Sequence, residues 1–269
     1  NYYFSDLSDE RIVIKKSDNS VITNEELDKL FNIVSIFKKS TDCEFTFECN
    51  PEDITEELIT YLIKNGINRL SIGVESFNKE NLEFMERKMD YKDLEEKLNM
   101  IRAKGINNIN LDLIYALPTE TLEEVKEDVD RILSLDVPHV SMYSLIIEEH
   151  TKFSARNVQS ISEDLDYEMY QYICNTLKQH GYEHYEVSNF ARPHFSSRHN
   201  LVYWNNEEYY GIGLGASGYI GNVRYTNTRS LNQYFSGAYR KEEEVLSLQE
   251  TIENEMMLGL RKMKGVSQH

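Results

Sequence analysis

Apolar residues recur along this chain in two alternating patterns. Short, largely apolar runs are typical of parallel strands that are covered on both faces. Between them, stretches with apolar residues three and four positions apart are typical of amphipathic helices. The predicted strands are residues 11–15, 44–48, 69–74, 107–114 and 139–145. Because strands and helices alternate at a regular spacing, the pattern predicts an α/β fold with a parallel sheet, either a barrel or a doubly wound sheet.

Cap residues mark where the predicted helices begin and end. Thr23 and Glu26 have the spacing of a capping box, as do Ser247 and Glu250. A glycine that follows an amphipathic stretch, such as Gly66, is a C-cap signal. Two helices are therefore predicted to begin at the capping boxes, the last of them running towards residue 261. Four more helices are predicted over residues 56–64, 92–104, 122–133 and 164–180.

The regular alternation stops near Ser162, which indicates a change of architecture. The segment after Gly181 is rich in Tyr, Gly and Asn and predicts loops and short antiparallel strands. Among these, residues 218–225 predict a hairpin with a Gly-Asn turn. We therefore expect an incomplete parallel (βα) barrel over residues 1–150. A smaller α+β region over residues 151–269 is expected to pack on it.

Composition and charge narrow the class of protein. Of 269 residues, 40% are apolar and 28% are charged, which is typical of a globular protein. The net charge of -17 repels phosphate backbones and anionic lipids, so we expect no nucleic-acid partner. No apolar run is long enough to span a bilayer, and no signal peptide opens the sequence, which together predict a cytoplasmic protein. Cys43, Cys49 and Cys174 form no disulfide framework and are expected to be reduced thiols.

Three acidic residues lie at or near the ends of predicted strands. Glu48, Glu75 and Asp112 each close or follow an apolar run, where an unpaired carboxylate is costly to bury. Any one of them alone is best explained by capping the next helix or by pairing with a base such as Arg69 or Arg87. Because binding sites of βα folds lie at the carboxyl ends of the strands, three together favour a shared polar pocket.

Two further motifs have simpler explanations than ligand binding. Residues 213–218 match the GxGxxG pattern, but a predicted hairpin follows them instead of the long helix that a dinucleotide site requires. We therefore predict no Rossmann site. His199 shares a short segment with Trp204, the only tryptophan of the chain. Taken alone, this histidine is more typical of an aromatic core edge than of a metal site, and no histidine spacing predicts a metal ligand set.

Several longer motifs follow one another in a fixed order. They are residues 48–51 (ECNP), 68–77 (NRLSIGVESF), 110–118 (NLDLIYALP), 186–191 (EVSNFA), 199–204 (HNLVYW) and 257–261 (MLGLR). In this order they resemble the radical S-adenosylmethionine (SAM) family of the HemN/HemW type, the oxygen-independent coproporphyrinogen III oxidase-like proteins. The resemblance covers nearly the whole chain, and the last two motifs favour the HemW branch, the heme chaperones.

The resemblance implies a fold, cofactors and partners. It implies an incomplete (βα) barrel that holds a 4Fe-4S cluster and SAM at the strand ends. In the family, the reduced cluster donates an electron to the SAM sulfonium, and cleavage yields a 5′-deoxyadenosyl radical. The implied partners are heme or a porphyrin and a heme-acceptor protein, with His199 as the candidate heme contact. By motif position, the residues implied to line the SAM pocket are Glu48, Glu75, Arg87, Asp112 and Ser144.

The chain also departs from the family pattern. It contains no CxxxCxxC loop, whose three thiolates hold the cluster in the family. Residues 15–20 (KKSDNS) replace a glycine-rich GGGTPS turn, and Glu75 stands where the family has glutamine. Two explanations stay open. Either the cluster loop belongs to a longer protein outside this sequence, or the chain is a degenerate relative that acts as a binding scaffold without radical chemistry.

Overall fold

The structure is a computed structural model that describes residues 2–4, 11–14, 23–147 and 152–266. The strands are β1 (Tyr2–Phe4), β2 (Arg11–Ile14), β3 (Glu44–Cys49), β4 (Arg69–Glu75), β5 (Asn108–Tyr115), β6 (His139–Ser144), β7 (Glu183–Glu186), β8 (Asn189–Ala191), β9 (Gly211–Ile212), β10 (Ser217–Ile220), β11 (Val223–Asn227) and β12 (Arg240–Val245). The α-helices are α1 (Asn24–Val34), α2 (Glu56–Lys64), α3 (Lys79–Phe84), α4 (Tyr91–Ala103), α5 (Leu122–Leu135), α6 (Lys152–Ala155), α7 (Glu163–Gln179), α8 (Arg198–Trp204), α9 (Leu231–Phe235) and α10 (Leu248–Gly259). Within the described ranges, no helix combines the length and apolar character needed to cross a membrane.

Every predicted strand and helix is present, which confirms the α/β class. Both predicted capping boxes form, at Thr23 with Glu26 and at Ser247 with Glu250. The positive φ of Gly66 agrees with its predicted place after α2. Residues 15–20, which replace the glycine-rich turn of the family, lie outside the described residues.

The described chain divides into two units. The first comprises Asn1–Cys49, Thr60–Leu70 and Ser197–His269, and the second comprises Asn50–Ile59 and Ser71–Ser196. Both units therefore contain segments that are distant in sequence. The division into residues 1–150 and 151–269 stays a prediction.

In the first unit, parallel and antiparallel strand pairs both occur. Strand β1 pairs antiparallel with β2 and β9, and β2 pairs parallel with β3. Strands β10, β11 and β12 form a separate antiparallel sheet. Its β10–β11 hairpin turns at Gly221 and Asn222, as predicted. Gly218 of β10 faces Tyr225, and a Cβ at Gly218 would lie 2.2 Å from the Tyr225 Cζ, so only glycine fits there.

The hairpin also explains the GxGxxG segment. Residues 213–218 lead from β9 into β10, and they continue into the β10–β11 hairpin rather than into a long helix. The predicted hairpin is therefore confirmed at this segment, where a dinucleotide site would require a long helix.

In the second unit, the strands lie in the order β4-β5-β6-β8-β7. Strands β5 and β6 are parallel, with Tyr115 opposite Ser144, whereas β8 is antiparallel to β6 and to β7. Because β5 and β6 are parallel, their carboxyl ends lie at the same edge of the sheet. Helix α5 packs against α7. The apolar residues that these helices and strands bury include Leu94, Leu98, Ile101, Leu111, Val129, Ile132, Val140, Ile173 and Leu177.

Two short helices, α8 and α9, interrupt a region in which only loops and strands were expected. That expectation is wrong for residues 198–204 and 231–235. Each helix begins at a serine N-cap, because Ser197 accepts a hydrogen bond from the Asn200 backbone N and Ser230 accepts one from the Gln233 backbone N. Helices of seven and five residues are too short to show a clear amphipathic repeat.

Candidate functional site

An ion pair joins Glu75, at the end of β4, to Arg87, which follows α3. The Arg87 Nη2 lies 3.0 Å from the Glu75 Oε1, and the Arg87 Nη1 donates to the Asn50 Oδ1 at 3.0 Å. The Glu75 side chain is 16% exposed and the Arg87 side chain 32% exposed, so both charges are partly removed from water. Pairing with a base, one of the explanations offered for these carboxylates, is therefore observed at Glu75.

Glu75 lies in a tight turn with a left-handed backbone. Its φ is +69°, and the Ser76 backbone N donates to the Val74 carbonyl at 2.9 Å. This γ-turn conformation costs a residue other than glycine on the order of 1–3 kcal/mol. Gly73 leaves room for the carboxylate, because a Cβ there would lie 3.1 Å from the Glu75 Oε1. The backbone of this turn therefore helps to set the direction of the Glu75 side chain.

Two buried carboxylates hold the loops that follow β4 and β5. Asp128 accepts hydrogen bonds from the Ser76 Oγ at 2.8 Å and from the Phe77 backbone N at 3.2 Å. Glu120 accepts one from the Leu117 backbone N at 3.1 Å. Burial raises the pKa of Asp128 to about 6 and the pKa of Glu120 to about 7. Both carboxylates therefore bind protons more tightly in the folded protein than in the unfolded chain.

These raised pKa values make part of the stability dependent on pH. The ordinary pKa values are 3.8 for Asp128 and 4.5 for Glu120. Each carboxyl group contributes about 3 kcal/mol to the free energy of unfolding, and this contribution is fully present below the ordinary pKa of the group. The contribution is lost as the pH rises through the folded-state pKa. We expect Glu120→Gln to flatten the pH dependence of the free energy of unfolding between pH 4.5 and 7, measured by urea denaturation.

The exposed neighbour Glu123 provides the control for this measurement. Glu123→Gln removes a carboxylate that is 78% exposed, and the same measurement on this variant is the control. Equal slopes for the wild type and the Glu120→Gln variant would contradict the raised pKa.

Asp112 lies on β5 in a network of hydrogen bonds with neighbouring strands. Its Oδ2 accepts from the Ser71 Oγ at 2.8 Å, and its Oδ1 accepts from the Asn110 Nδ2 at 2.9 Å. The Asn110 Oδ1 in turn lies 2.5 Å from the Nδ1 of His139, which is fully buried. Both oxygens of Asp112 are thus fixed by side chains of the same unit.

The remaining predicted site residues lie in different places. In the second unit, the Ser144 Oγ donates to the Asp166 Oδ2 at 2.9 Å. In the first unit, Glu48 is half-buried near the end of β3, and His199 lies in the first turn of α8. Of the predicted residues, the structure joins Glu75 and Arg87 directly. The assignment of all of them to a ligand pocket stays a prediction.

A cavity of about 690 Å³ adjoins α8 within the first unit. The His199 Nε2 lies 2.9 Å from the hydroxyl of Tyr203, which contributes to the cavity wall. The Trp204 Nε1 is buried and has no hydrogen-bond acceptor among the described residues. The aromatic residues that line the cavity are Tyr203, Trp204, Tyr209, Tyr219 and Tyr225.

Several residues of these sites were not predicted as functional. Asn50 belongs to the ECNP motif, but nothing in that motif indicates that it binds Arg87. The signal for Asp128 is an acidic residue within the apolar stripe of Val125, Val129 and Ile132. The same type of signal, a polar residue between two apolar ones in a strand, marks Asn110.

The described residues suit SAM but not an iron–sulfur cluster. The carboxylates of Glu75 and Asp112 are hydrogen-bond acceptors of the kind that ribose hydroxyls or an ammonium group require. By contrast, the part of the chain that the structure describes contains no group of three His, Cys, Asp or Glu residues that could hold a metal ion. The three cysteines form no disulfide, as predicted, but they do not supply a cluster site.

Comparisons with known sequences identify relatives over most of the chain. The Radical SAM superfamily profile matches residues 14–132. The heme chaperone HemW of Lactococcus lactis is 44% identical over 92% of this chain and 67% of that protein. The heme chaperone HemW of Bacillus subtilis is 39% identical over 91% of this chain and 68% of that protein. The chain thus spans about two thirds of the length of these relatives.

A solved structure shares the fold. The coproporphyrinogen III oxidase HemN of Escherichia coli matches with a TM-score of 0.81 and 22% identity, over 94% of this chain and 63% of that chain. This similarity confirms the radical SAM type of α/β fold. Together with the identity to the HemW proteins, it shows that the chain belongs to the HemN/HemW family of the radical SAM superfamily.

Proposed function

We propose that this protein is a cytoplasmic, HemW-like heme chaperone that binds SAM in its second unit and heme in its first. The observation that carries the proposal is the 44% identity to a heme chaperone HemW across 92% of the chain. The proposed partners are heme or a related porphyrin and an acceptor protein that receives it. The radical SAM family implies SAM and a 4Fe-4S cluster, and the described residues offer no site for the cluster.

Helix α8 and the adjoining cavity support the heme-binding part of the proposal. His199 offers an imidazole, a residue type that commonly ligates heme iron. The aromatic walls of the cavity suit a flat porphyrin ring. Arg224 on the cavity wall is a donor for a carboxylate group of heme.

We expect His199→Ala to weaken heme binding about 10- to 100-fold, because an iron ligand is lost. Tyr203→Phe is expected to retain binding, since iron ligation at the His199 Nε2 would replace the hydrogen bond to the Tyr203 hydroxyl. Heme titration followed by the Soret absorbance measures both effects. His180→Ala, which removes an exposed imidazole, is the matched control. Equal heme affinity of the wild type and the His199→Ala variant would remove His199 from the heme site.

The strand ends of the second unit support the SAM-binding part. We assign Glu75 and Asp112 to accept hydrogen bonds from the ribose hydroxyls or the ammonium group of SAM. Arg87 orients Glu75 through their ion pair. Ser144, at the end of β6, completes the proposed pocket by motif position.

A second candidate function is a heme-binding scaffold that does not cleave SAM. It is favoured by the lysines at positions 15 and 16 and by Glu75, which replace glycines and a glutamine of the family pattern. Anaerobic reconstitution of the full-length gene product with iron and sulfide, followed by assay for 5′-deoxyadenosine, separates the two candidates. Release of this product supports SAM cleavage, whereas heme binding without it supports the scaffold.

A further inference from the structure

We propose that Asp128 is a positioning residue that holds the γ-turn at Glu75 and so directs the Glu75 carboxylate towards Arg87. The proposal rests on the proposed SAM site, of which Glu75 is a member. Asp128 lies on α5 and acts through the two residues that follow Glu75. Its effect on a ligand is therefore indirect.

The contacts of Asp128 converge on the segment just after the strained residue. The Asp128 carboxylate accepts hydrogen bonds from the Ser76 Oγ at 2.8 Å and from the Phe77 backbone N at 3.2 Å. Ser76 is fully buried, and Asp128 is 5% exposed, so water does not compete for these hydrogen bonds. A left-handed conformation at a residue other than glycine persists only when its surroundings enforce it. Asp128 supplies two of the hydrogen bonds that do so.

Neighbouring residues on the same face of α5 fix the segment from either side. One turn before Asp128, Glu124 accepts a hydrogen bond from the Asn78 Nδ2 at 2.9 Å. One turn after it, Arg131 donates to the Phe77 carbonyl at 2.7 Å. The segment after β4 is thus attached to α5 at three positions. Asp128 is the one that bonds to Ser76, the residue adjacent to Glu75.

Two possible roles of Asp128 predict different effects of its removal on SAM binding, depending on which residue occupies position 75. If Asp128 only stabilises the loop, its removal weakens SAM binding equally whichever residue occupies position 75. If Asp128 positions Glu75, its removal weakens SAM binding only when residue 75 carries the carboxylate and disfavours the left-handed conformation. Glycine at position 75 adopts positive φ readily and has no side chain to direct.

The test is a double-mutant cycle of Asp128→Ala and Glu75→Gly, with SAM affinity measured by calorimetry. We expect Asp128→Ala to weaken SAM binding about tenfold when Glu75 is present and less than twofold when it is combined with Glu75→Gly. Asp128→Asn keeps a side chain able to bond to both Ser76 and Phe77, so it is expected to restore affinity to within about threefold of the wild type. Asp130→Ala removes an exposed carboxylate from the same helix and is the matched control.

Hydrogen exchange of a peptide covering residues 74–78 tests the same role without ligand. We expect about tenfold faster exchange in Asp128→Ala and no change in Asp130→Ala. An equal loss of SAM affinity with and without the Glu75→Gly substitution, or unchanged exchange in Asp128→Ala, would overturn the positioning role. If the wild type binds no SAM while exchange is still faster in Asp128→Ala, the proposed SAM site is wrong. The conclusion that Asp128 stabilises the turn at Glu75 is then retained.

Discussion

Asp112→Ala is expected to weaken SAM binding about 10- to 100-fold. Asp112 is the carboxylate whose two oxygens are already oriented by Ser71 and Asn110, so it is preorganised to accept further hydrogen bonds. Hydrogen bonds to a charged group are worth about 1.5–3 kcal/mol, and each 1.4 kcal/mol changes affinity about tenfold. Isothermal titration with SAM measures the change.

Two companion variants separate lost binding from lost folding. Asp112→Asn keeps hydrogen bonding with Ser71 and Asn110 but removes the charge, so it is expected to fold normally and bind SAM weakly. Asp130→Ala removes an exposed carboxylate and is expected to bind like the wild type. Undiminished SAM affinity in the Asp112→Ala variant would exclude Asp112 from the pocket.

Arg87→Ala is expected to lower the free energy of unfolding by about 1–3 kcal/mol. The variant leaves the Glu75 carboxylate, only 16% exposed, without its ion pair to Arg87. The double variant Glu75→Gln/Arg87→Ala is expected to recover most of this loss, because it removes the charge and installs the glutamine that the family usually has. Urea denaturation at pH 7 measures the wild type and both variants.

A surface ion pair provides the comparison for Arg87. Arg156 lies 2.8 Å from Glu86, but both side chains are about half exposed, at 54% and 51%. Arg156→Ala is therefore expected to cost less than about 1 kcal/mol. Equal losses for the two arginine variants, or no recovery in the double variant, would contradict the view that Glu75 depends on Arg87.

The main elements of the fold were predictable because their signals are local. Apolar runs marked the five predicted strands, and residue pairs such as Thr23 with Glu26 marked helix starts. Helices α8 and α9 were missed because a single short helix has no repeat to detect. Their only local signal is a serine N-cap, and serine is also common in turns.

The candidate site was only partly predictable from the sequence. The rule that ligands bind at strand ends selected Glu75 and Asp112, and the family motifs added Arg87. The roles of Asn50 and Asp128 depend on contacts between residues far apart in the chain, 37 positions in the case of Asn50 and Arg87. No local pattern encodes such contacts. The left-handed backbone at Glu75 was also unforeseen, because glutamate rarely adopts it.

Hydrogen exchange of the wild-type protein with and without SAM tests most directly whether the strand ends of the second unit form the binding site. Slower exchange upon SAM addition is expected in residues 71–77 and 110–117, with no change in α10. Protection confined to other segments, or none at saturating SAM, would contradict a SAM site built on Glu75 and Asp112.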